Sequence, residues 1–275
     1  MKPARFDYVR ADDVAEVRAV LAEHGNDARV VAGGQTLLPM LSMRLVRPKV
    51  VVDIMHLPAL RGIEASKNDI RIGAGVRQAE LMAWPDLSAS VPLLAAALPW
   101  VGHAQTRSRG TVCGSVAHAD PSAEIPLVLL ALDGAVELSS RRRRRRAPAT
   151  GFFTGMMSTE RLDEELIENI IIPKQRPGHG YAFQEFGRRH GDFAIVSCAA
   201  VCAQDSIRLA VGGVADRPMA RDFPALDGSA LDDALDAFAW ELDARDDLHA
   251  TARYRRDLVR QMGRATIEEA RQCRD

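Results

Sequence analysis

Near its N-terminus the chain reads Val30-Val31-Ala32-Gly33-Gly34-Gln35-Thr36-Leu37-Leu38-Pro39. A short β-branched run ends at two adjacent glycines, and a polar pair and an apolar segment that favours a helix follow. Glycine tolerates positive φ and lets a ligand approach the backbone closely. Backbone N–H groups that precede a helix favour anionic groups such as phosphates. The stretch therefore predicts one half of a nucleotide-binding site. It matches neither the P-loop nor the G-x-G-x-x-G fingerprint, and a plain turn is the alternative.

The composition argues against several classes of protein. The 275 residues carry a net charge of −1, with 47% hydrophobic and 27% charged residues, so no general affinity for nucleic acid or membranes is expected. No apolar run is long enough to predict a membrane span, and the first residues lack a secretory signal pattern. The four cysteines form no C-x-x-C pair, which argues against an iron–sulfur site, a zinc ribbon or a disulfide framework on this chain. A reduced, cytoplasmic protein is predicted.

Hydrophobic spacing and turn residues predict alternating strands and helices. Residues 1–55 are predicted to form a compact β-α-β-like unit, with the glycine stretch at a strand end, where ligands bind in α/β folds. Toward the C-terminus the pattern predicts a small antiparallel sheet and two helices: strands 181–186, 194–203 and 206–212, then helices 230–242 and 250–273.

A domain boundary is predicted between Pro173 and Gly180, where proline, glycine and mixed charge occur together. It separates an N-terminal domain, residues 1–176, from a C-terminal domain, residues 177–275. The N-terminal domain is divided in turn into subdomains of about 1–56 and 57–176.

A second stretch of small residues strengthens the case for a ligand. From residue 109 the chain reads Arg109-Gly110-Thr111-Val112-Cys113-Gly114-Ser115-Val116-Ala117-His118-Ala119-Asp120-Pro121-Ser122-Ala123-Glu124. Two such stretches can enclose a diphosphate between their backbone amides. Glu124 then either accepts hydrogen bonds from ligand hydroxyl groups or is only an acidic residue at the start of the apolar helix predicted from Ile125.

These stretches carry a resemblance to a known family. Together with Gly102-His103-Ala104-Gln105-Thr106-Arg107-Ser108-Arg109-Gly110-Thr111, they resemble the FAD-binding medium subunit of molybdenum hydroxylases, of the carbon monoxide dehydrogenase and xanthine dehydrogenase type. The similarity continues through Phe152-Phe153-Thr154-Gly155, Ile170-Ile171-Ile172-Pro173 and Arg188-Arg189-His190-Gly191-Asp192-Phe193-Ala194-Ile195-Val196. The motifs are in the family's order and cover nearly the whole chain.

The resemblance implies an α+β fold. Its first part is a two-lobed FAD-binding domain of the vanillyl-alcohol-oxidase (PCMH) type, and its second is a small α+β domain of the CO dehydrogenase flavoprotein type, with a three-stranded antiparallel sheet and helices. The resemblance further implies noncovalent FAD. Glu124 would hold ribityl or ribose hydroxyls, Ile167 would lie near the adenine, and Phe193 would lie at the isoalloxazine ring. The implied FAD-binding residues are Ala32, Gly33, Gly34, Gln35, Thr36, Val101, Gly102, His103, Thr111, Val112, Cys113, Gly114, Ser115, Glu124, Ile167 and Phe193.

The same resemblance implies an electron-transfer role in a heteromeric enzyme. A large partner subunit would hold the molybdenum cofactor and a small partner [2Fe–2S] clusters, as a dimer of heterotrimers. FAD on this chain would pass electrons to an external acceptor, and neither a metal ligand nor a catalytic acid or base is expected here. Two alternatives remain open: a self-contained flavin oxidase or dehydrogenase of the same fold, and a non-catalytic scaffold that has lost FAD. Carbon monoxide, a purine and another N-heterocycle are all open as the substrate of the complex.

Some residues depart from the family pattern. Cys113 stands where the family usually has a glycine, and its side chain either alters the backbone, lies against the flavin or packs as a small residue. Thr36 stands where serine is frequent, a conservative change. Gln184 stands where some relatives have a lysine that reaches the flavin, so that role is not transferred. The run Arg141–Arg146 replaces the family's usual surface loop. Such a run predicts a solvated hairpin or loop, with contact to an acidic partner or nucleic acid as the alternative.

Overall fold

The computed structural model describes residues 2–274 and begins with a small parallel sheet. Its elements are β1 (Asp7–Arg10), α1 (Val14–His24), β2 (Ala28–Val31), α2 (Leu37–Ser42) and β3 (Val50–Asp53). The strands lie side by side in the order β1-β3-β2 and all run parallel. The predicted β-α-β unit is therefore confirmed, and the glycine stretch connects the end of β2 to the start of α2.

Local sequence signals account for the limits of α1. The Asp13 carboxylate accepts a hydrogen bond from the backbone N–H of Glu16 (2.8 Å) and caps the first turn. Gly25 ends the helix with a φ of +50°, and its N–H donates to the carbonyl of Leu21.

A five-stranded antiparallel sheet with covering helices follows. Its strands lie in the order β4-β5-β10-β6-β7, and a short pair, β8-β9, stands beside it. These strands are β4 (Ile63–Ala65), β5 (Asp69–Gly73), β6 (Ala135–Ser139), β7 (Arg144–Pro148), β8 (Phe153–Gly155), β9 (Ser158–Thr159) and β10 (Leu166–Pro173). The helices are α3 (Gln78–Met82), α4 (Leu87–Ser90), α5 (Pro92–Ala97), α6 (Ala104–Arg107), α7 (Val112–His118), α8 (Glu124–Ala131) and α9 (Ala149–Phe152). Short 3₁₀ turns occur at Gly25–Asp27, Pro58–Leu60 and Leu98–Trp100.

The C-terminal part is a sheet covered by two helices. Its elements are β11 (Gly180–Phe186), β12 (Val196–Cys202), β13 (Ser206–Gly212), β14 (Met219–Pro224), α10 (Gly228–Glu241) and α11 (Ala252–Gln272). The predicted α+β class and the antiparallel arrangement are confirmed. The predicted number of three strands was wrong, because β14 adds a fourth at the edge. Its charged Arg221 and Asp222 obscured the strand pattern, and such charges are typical of edge strands.

The two faces of the C-terminal sheet have different partners. Cys198, Leu209 and Val211 point toward a core shared with α10 and α11. On the other face, Phe183 and Ala199 join the core of the preceding part of the chain, where α5 and α8 contact the sheet. Every residue of α8 is buried, and after Glu124 the helix is apolar on all sides. One hydrophobic core therefore connects the N-terminal part to the C-terminal sheet.

The arginine run forms the turn and second strand of the β6–β7 hairpin, so the predicted hairpin is confirmed. The prediction that it is solvated was wrong for Arg145. Its guanidinium contacts the buried carboxylate of Glu165 (Nε–Oε1 2.7 Å) and also Glu160 (Nη1–Oε1 2.6 Å). Burial raises the pKa of Glu165, but hydrogen bonds from Arg145 and from the N–H of Leu162 outweigh it and lower that pKa overall. Part of the run thus neutralises a buried acid.

Candidate functional site

The glycine stretch forms a tight turn between β2 and α2. Gly34 has a φ of +71°, a conformation that favours glycine, and its carbonyl accepts a hydrogen bond from the N–H of Leu38 (3.1 Å). The Gln35 side chain donates to the carbonyl of Gly33 (3.3 Å). Gln35 is exposed, while Ala32 and Thr36 are half-buried, so the turn lies at the surface with its backbone accessible.

Gly33 brings the two predicted stretches into direct contact. A Cβ atom at Gly33 would lie 2.2 Å from the carbonyl oxygen of Arg109 and 2.7 Å from the Cα of Gly110. Such distances leave no room for a side chain, and backbone atoms cannot rotate away. The first stretch therefore packs backbone against backbone on the residues immediately before Thr111.

The second stretch contains the start of a helix. Thr111 is the N-cap of α7, and its hydroxyl accepts a hydrogen bond from the N–H of Gly114 (3.0 Å). A Cβ at Gly114 would lie 2.6 Å from that hydroxyl oxygen, so glycine permits the cap. The side chain of Val112 is buried, whereas Gly114 and Ser115 are half-buried and reach the surface.

Cys113 packs into the core, as expected of a small buried residue. Its thiol donates a hydrogen bond to the carbonyl of Ile72 on β5 (3.4 Å), and burial raises its pKa to about 12. Among the three alternatives for this side chain, the structure favours packing as a small residue, and contact of Cys113 with FAD stays a prediction. Because the side chain points to the sheet, it leaves the exposed side of the α7 N-terminus unobstructed.

A third segment, Val101 to His103, meets the loop between β11 and β12. Gly102 has a φ of +49°, and Arg107 donates hydrogen bonds to the carbonyls of Val101 (2.9 Å) and Gly102 (2.8 Å). A Cβ at Gly191 would lie 2.4 Å from the His103 ring, so this loop rests on that ring.

The same loop carries two side chains with rings, those of His190 and Phe193. The rings of Trp100 and His190 are 5.1 Å apart, and Phe193 is 66% exposed. An exposed aromatic ring of this size is available for stacking against a planar ligand.

Glu124 is the first residue of α8 and is buried. Its pKa is raised to about 7, chiefly by burial and also by the nearby Asp120, while a backbone hydrogen bond and Arg107 act in the opposite direction. Its position fits both predicted roles, an acid at a helix start and a polar group at a binding site. Ile167, by contrast, is only 5% exposed on β10, with its side chain in the hydrophobic core, and its contact with adenine stays a prediction.

Two further polar residues, Glu185 and Ser197, are not among the residues predicted from the sequence. Glu185 lies on β11 directly opposite Ser197 on β12. Burial and the neighbouring Glu124 raise the pKa of Glu185 to about 9. The available signal was the alternation of Tyr181, Phe183 and Glu185, which puts a carboxyl group on the face that packs against α8.

Within residues 2–274, no group of three or more His, Cys, Asp or Glu side chains is arranged to hold a metal ion. The helices of the described chain also include none that is both long and apolar enough to cross a membrane.

Two family models match the chain. The FAD binding domain in molybdopterin dehydrogenase matches residues 4–175, and the CO dehydrogenase flavoprotein C-terminal domain matches residues 181–270. The chain is 38% identical to the 6-hydroxypseudooxynicotine dehydrogenase complex subunit alpha of Paenarthrobacter nicotinovorans, over 98% of this chain and 96% of that protein. It is 32% identical to the carbon monoxide dehydrogenase medium chain of Hydrogenophaga pseudoflava, over 98% of both.

Solved structures agree with the sequence relatives. Carbon monoxide dehydrogenase from Hydrogenophaga pseudoflava, in a form that lacks the Mo-pyranopterin moiety, has a chain that superposes with a TM-score of 0.94 at 31% identity, over 100% of both chains. Quinoline 2-oxidoreductase from Pseudomonas putida 86 has one with a TM-score of 0.91 at 32% identity, over 99% of both. This chain therefore belongs to the FAD-binding medium subunits of molybdenum hydroxylases, the carbon monoxide dehydrogenase and xanthine dehydrogenase family, which are subunits of oxidoreductase complexes.

Proposed function

We propose that this chain binds FAD noncovalently and carries electrons within a heteromeric molybdenum hydroxylase. Electrons come from [2Fe–2S] clusters on a small partner subunit and leave to an external acceptor. A large partner subunit holds the molybdenum cofactor and hydroxylates the substrate. The assembly is a dimer of heterotrimers, and no nucleic acid takes part.

The contact of Gly33 with Arg109 carries this proposal. Two backbone segments, each rich in small residues, meet with no room for a side chain at their junction. Backbone amides of the two segments beside this junction would suit a diphosphate. The contact lies within residues 4–175, the part that matches the FAD-binding family model.

FAD, when bound, supplies a ring system that takes up electrons and passes them on. The chain's part is to hold and orient it. Ala32 to Thr36 and Thr111 to Ser115 hold the diphosphate, with Val101, Gly102 and His103 beside the cofactor. Phe193 stacks at the isoalloxazine ring and Ile167 lies near the adenine. Glu124 holds hydroxyl groups, for which its buried carboxyl group is a suitable partner.

We also propose that residues 1–176, with subdomains of about 1–56 and 57–176, form the FAD-binding domain, and that residues 177–275 form the C-terminal domain. The segment from Lys174 to His179, which joins β10 to β11, supports this division because it contains no strand or α-helix.

The names of the relatives support a multi-subunit enzyme in which another subunit selects the substrate. One relative is named nicotine 6-hydroxylase medium subunit, another caffeine dehydrogenase subunit beta, and others carbon monoxide dehydrogenase medium chain. The named substrates differ widely although these chains are alike. We therefore place substrate choice on the large partner subunit.

The test begins with the chain purified alone. Its absorbance spectrum, before and after incubation with FAD and desalting, should show bound flavin, and acid precipitation should release all of it. A chain that stays colourless after FAD addition would contradict the proposal and favour the scaffold alternative. Bleaching of the flavin by a small organic substrate without other subunits would favour the self-contained oxidase.

The partners are tested by purification of the tagged chain from cells that express its neighbours. The expected complex contains two further subunits, and metal analysis should find molybdenum and iron in it but not in the isolated chain. Copurification of neither metal under conditions that retain FAD would contradict the heteromeric assignment.

A further inference from the structure

The loop between β11 and β12, residues 187–195, is held at its ends and in its middle. At its ends, the N–H of Ile195 donates a hydrogen bond to the carbonyl of Phe186 (2.8 Å). In its middle, Gly191 packs on the His103 side chain, since a Cβ atom there would lie 2.4 Å from the ring. The loop is therefore closed at its base and rests on the segment around His103.

Two consecutive residues of α11 contact the two ends of this loop. The ring of Tyr254 meets the ring of Phe186 edge to face, with the ring centroids 6.2 Å apart. The guanidinium of Arg255 donates a hydrogen bond to the carbonyl of Ile195 (2.6 Å). Arg255 and Ile195 are 60 positions apart in the chain, so the position of the loop depends on how α11 packs.

Arg255 also joins the loop to a third segment. Its Nη1 atom donates a second hydrogen bond, to the carbonyl of Gly213 (2.5 Å), the residue after β13. The N–H of Gly213 in turn donates to the carbonyl of Pro121 (2.8 Å), between α7 and α8. A Cβ atom at Gly213 would lie 2.9 Å from the carbonyl oxygen of Ile195, so these backbones are in close contact. Because Pro121 belongs to the second stretch of small residues, Arg255 connects that stretch to the loop.

The guanidinium of Arg255 is buried and paired with a carboxylate. The residue is 4% exposed, and its Nη2 atom donates to Asp247 (2.5 Å). Asp247 also accepts from the N–H groups of His249 (2.8 Å) and Ala250 (2.9 Å). Burial raises the pKa of Asp247, but these hydrogen bonds outweigh it and lower that pKa overall, so the carboxylate is ionised at neutral pH. A buried guanidinium needs such partners, and its rigid fork fixes the groups to which it donates.

We propose that Arg255 is a positioning residue for the cofactor, which fixes the loop against the second stretch so that Phe193 is held at the isoalloxazine ring of FAD. This inference rests on the proposed function, which assigns Phe193 to that ring. Because Phe193 is 66% exposed and lies two residues before Ile195, its ring takes its position from the backbone of the loop. Arg255 acts through the carbonyl of Ile195, and Asp247 holds Arg255 in place.

Three variants of the full chain separate this role from a general effect on α11. Arg255→Lys keeps the charge but has one nitrogen instead of the fork, so it loses at least one of the three contacts. Asp247→Asn keeps Arg255 and removes the opposite charge. The Asp247 side chain is 47% exposed, so this second variant should fold even where Arg255→Lys does not. Arg260→Lys is the matched control, because Arg260 also lies on α11 but pairs with Asp236 on α10.

Hydrogen exchange followed by mass spectrometry measures the loop without FAD. Arg255→Lys should accelerate amide exchange in residues 187–195 about tenfold, the effect of one lost hydrogen bond, and Asp247→Asn about threefold. Peptides from α1 and β5 should exchange as in wild type, and so should the loop in Arg260→Lys. Unchanged exchange in both loop variants would contradict the inference.

A double-mutant cycle tests whether Arg255 acts through Phe193. Dissociation constants for FAD, riboflavin 5′-phosphate and ADP are measured by flavin fluorescence and by calorimetry. Arg255→Lys should weaken FAD and riboflavin 5′-phosphate about fivefold and leave ADP within about twofold, and Phe193→Ala should do the same. The double variant should bind FAD within about twofold of Phe193→Ala, because the two residues act as a unit. A residue that supports only the fold would give losses that multiply.

The outcomes separate the inference from the proposed function. If the wild-type chain binds FAD and both Arg255→Lys and Asp247→Asn bind it equally well, the inference is wrong and the proposed function stands, even where the loop exchanges faster. Losses that multiply in the double variant, or a loss of ADP affinity as large as that for FAD, would also overturn the inference. If the wild-type chain binds no FAD, both proposals fail.

Discussion

At Gly33 the backbone approaches the carbonyl of Arg109 so closely that there is no room for a methyl group. Gly33→Ala places a Cβ 2.2 Å from that oxygen, and neither segment can move without opening the junction. We expect FAD affinity to fall by at least about tenfold, together with a loss of about 2 kcal/mol of stability. Gly151→Ala is the control, because a Cβ there meets nothing within 4 Å. Equal FAD affinity in both variants would contradict the importance of the junction.

Cys113 affects stability more than binding. Its thiol contacts the carbonyl of Ile72 inside the core, away from the exposed side of α7. Cys113→Ala should therefore lower the free energy of unfolding by about 1 kcal/mol through lost packing. FAD affinity, measured by fluorescence titration, should stay within about twofold of wild type, which is the size of a minor local adjustment. A large loss of affinity with unchanged stability would instead place the side chain at the cofactor.

At the scale of single elements, α7 and α11 each begin with a threonine whose hydroxyl caps the first turn. Thr111 caps α7 beside the glycine turn, and Thr251 caps α11, its hydroxyl accepting from the N–H of Tyr254 (3.2 Å). Replacing either threonine by alanine should cost about 1 kcal/mol in urea unfolding. Only Thr111→Ala should also weaken FAD binding, by roughly three- to tenfold, because it loosens the backbone that we propose holds the diphosphate. Equal FAD affinities in the two variants would show that α7 does not form part of the site.

The β6–β7 hairpin contains arginines with different roles. Arg145→Met leaves the buried Glu165 with fewer partners and should destabilise the chain by about 2 kcal/mol. Arg142→Met, in the same run but without an ion pair among the described residues, should cost less than about 0.5 kcal/mol. Chemical denaturation of both variants makes the comparison, and equal losses would contradict the assignment.

The Arg145–Glu165 pair also predicts a dependence on pH. The pKa of Glu165 is lower in the folded chain than its ordinary value of 4.5. The pair therefore stabilises the protein fully above that value and loses its effect as the pH falls through the lower, folded-state pKa. The difference between wild type and Arg145→Met should shrink on acidification from pH 6 to pH 3.

At the scale of the whole molecule, one continuous core predicts one unfolding transition. Phe183 and Ala199 of the C-terminal sheet belong to the same hydrophobic cluster as the five-stranded sheet. We expect a single calorimetric peak, which rises by several degrees when FAD is present at about 100 times its dissociation constant. Two separate peaks, with only the first shifted by FAD, would show that the parts of the chain unfold independently.

The sequence by itself determined what depends on neighbours along the chain. The β-branched run before the glycines, the Asp13 cap and the Gly25 stop all act within a few residues, so the first parallel unit was predictable. The family resemblance added the order of the motifs and the residues expected at FAD, because those motifs are read directly from the residues.

Only the tertiary structure decided what depends on residues far apart in the chain. The start of α7 is set locally, by the hydroxyl cap of Thr111. The close approach of Gly33 to Arg109, in contrast, depends on how two distant segments pack. The sequence predicts a solvated run at Arg145, but in the fold its guanidinium forms an ion pair with the buried carboxylate of Glu165. Glu185 lies on the sheet face that packs against α8, the helix that begins at Glu124, and burial raises the pKa of both carboxyl groups. Local sequence patterns therefore determine where each helix and strand begins and ends. Burial and contacts between distant residues determine which side chains come together and how their pKa values shift.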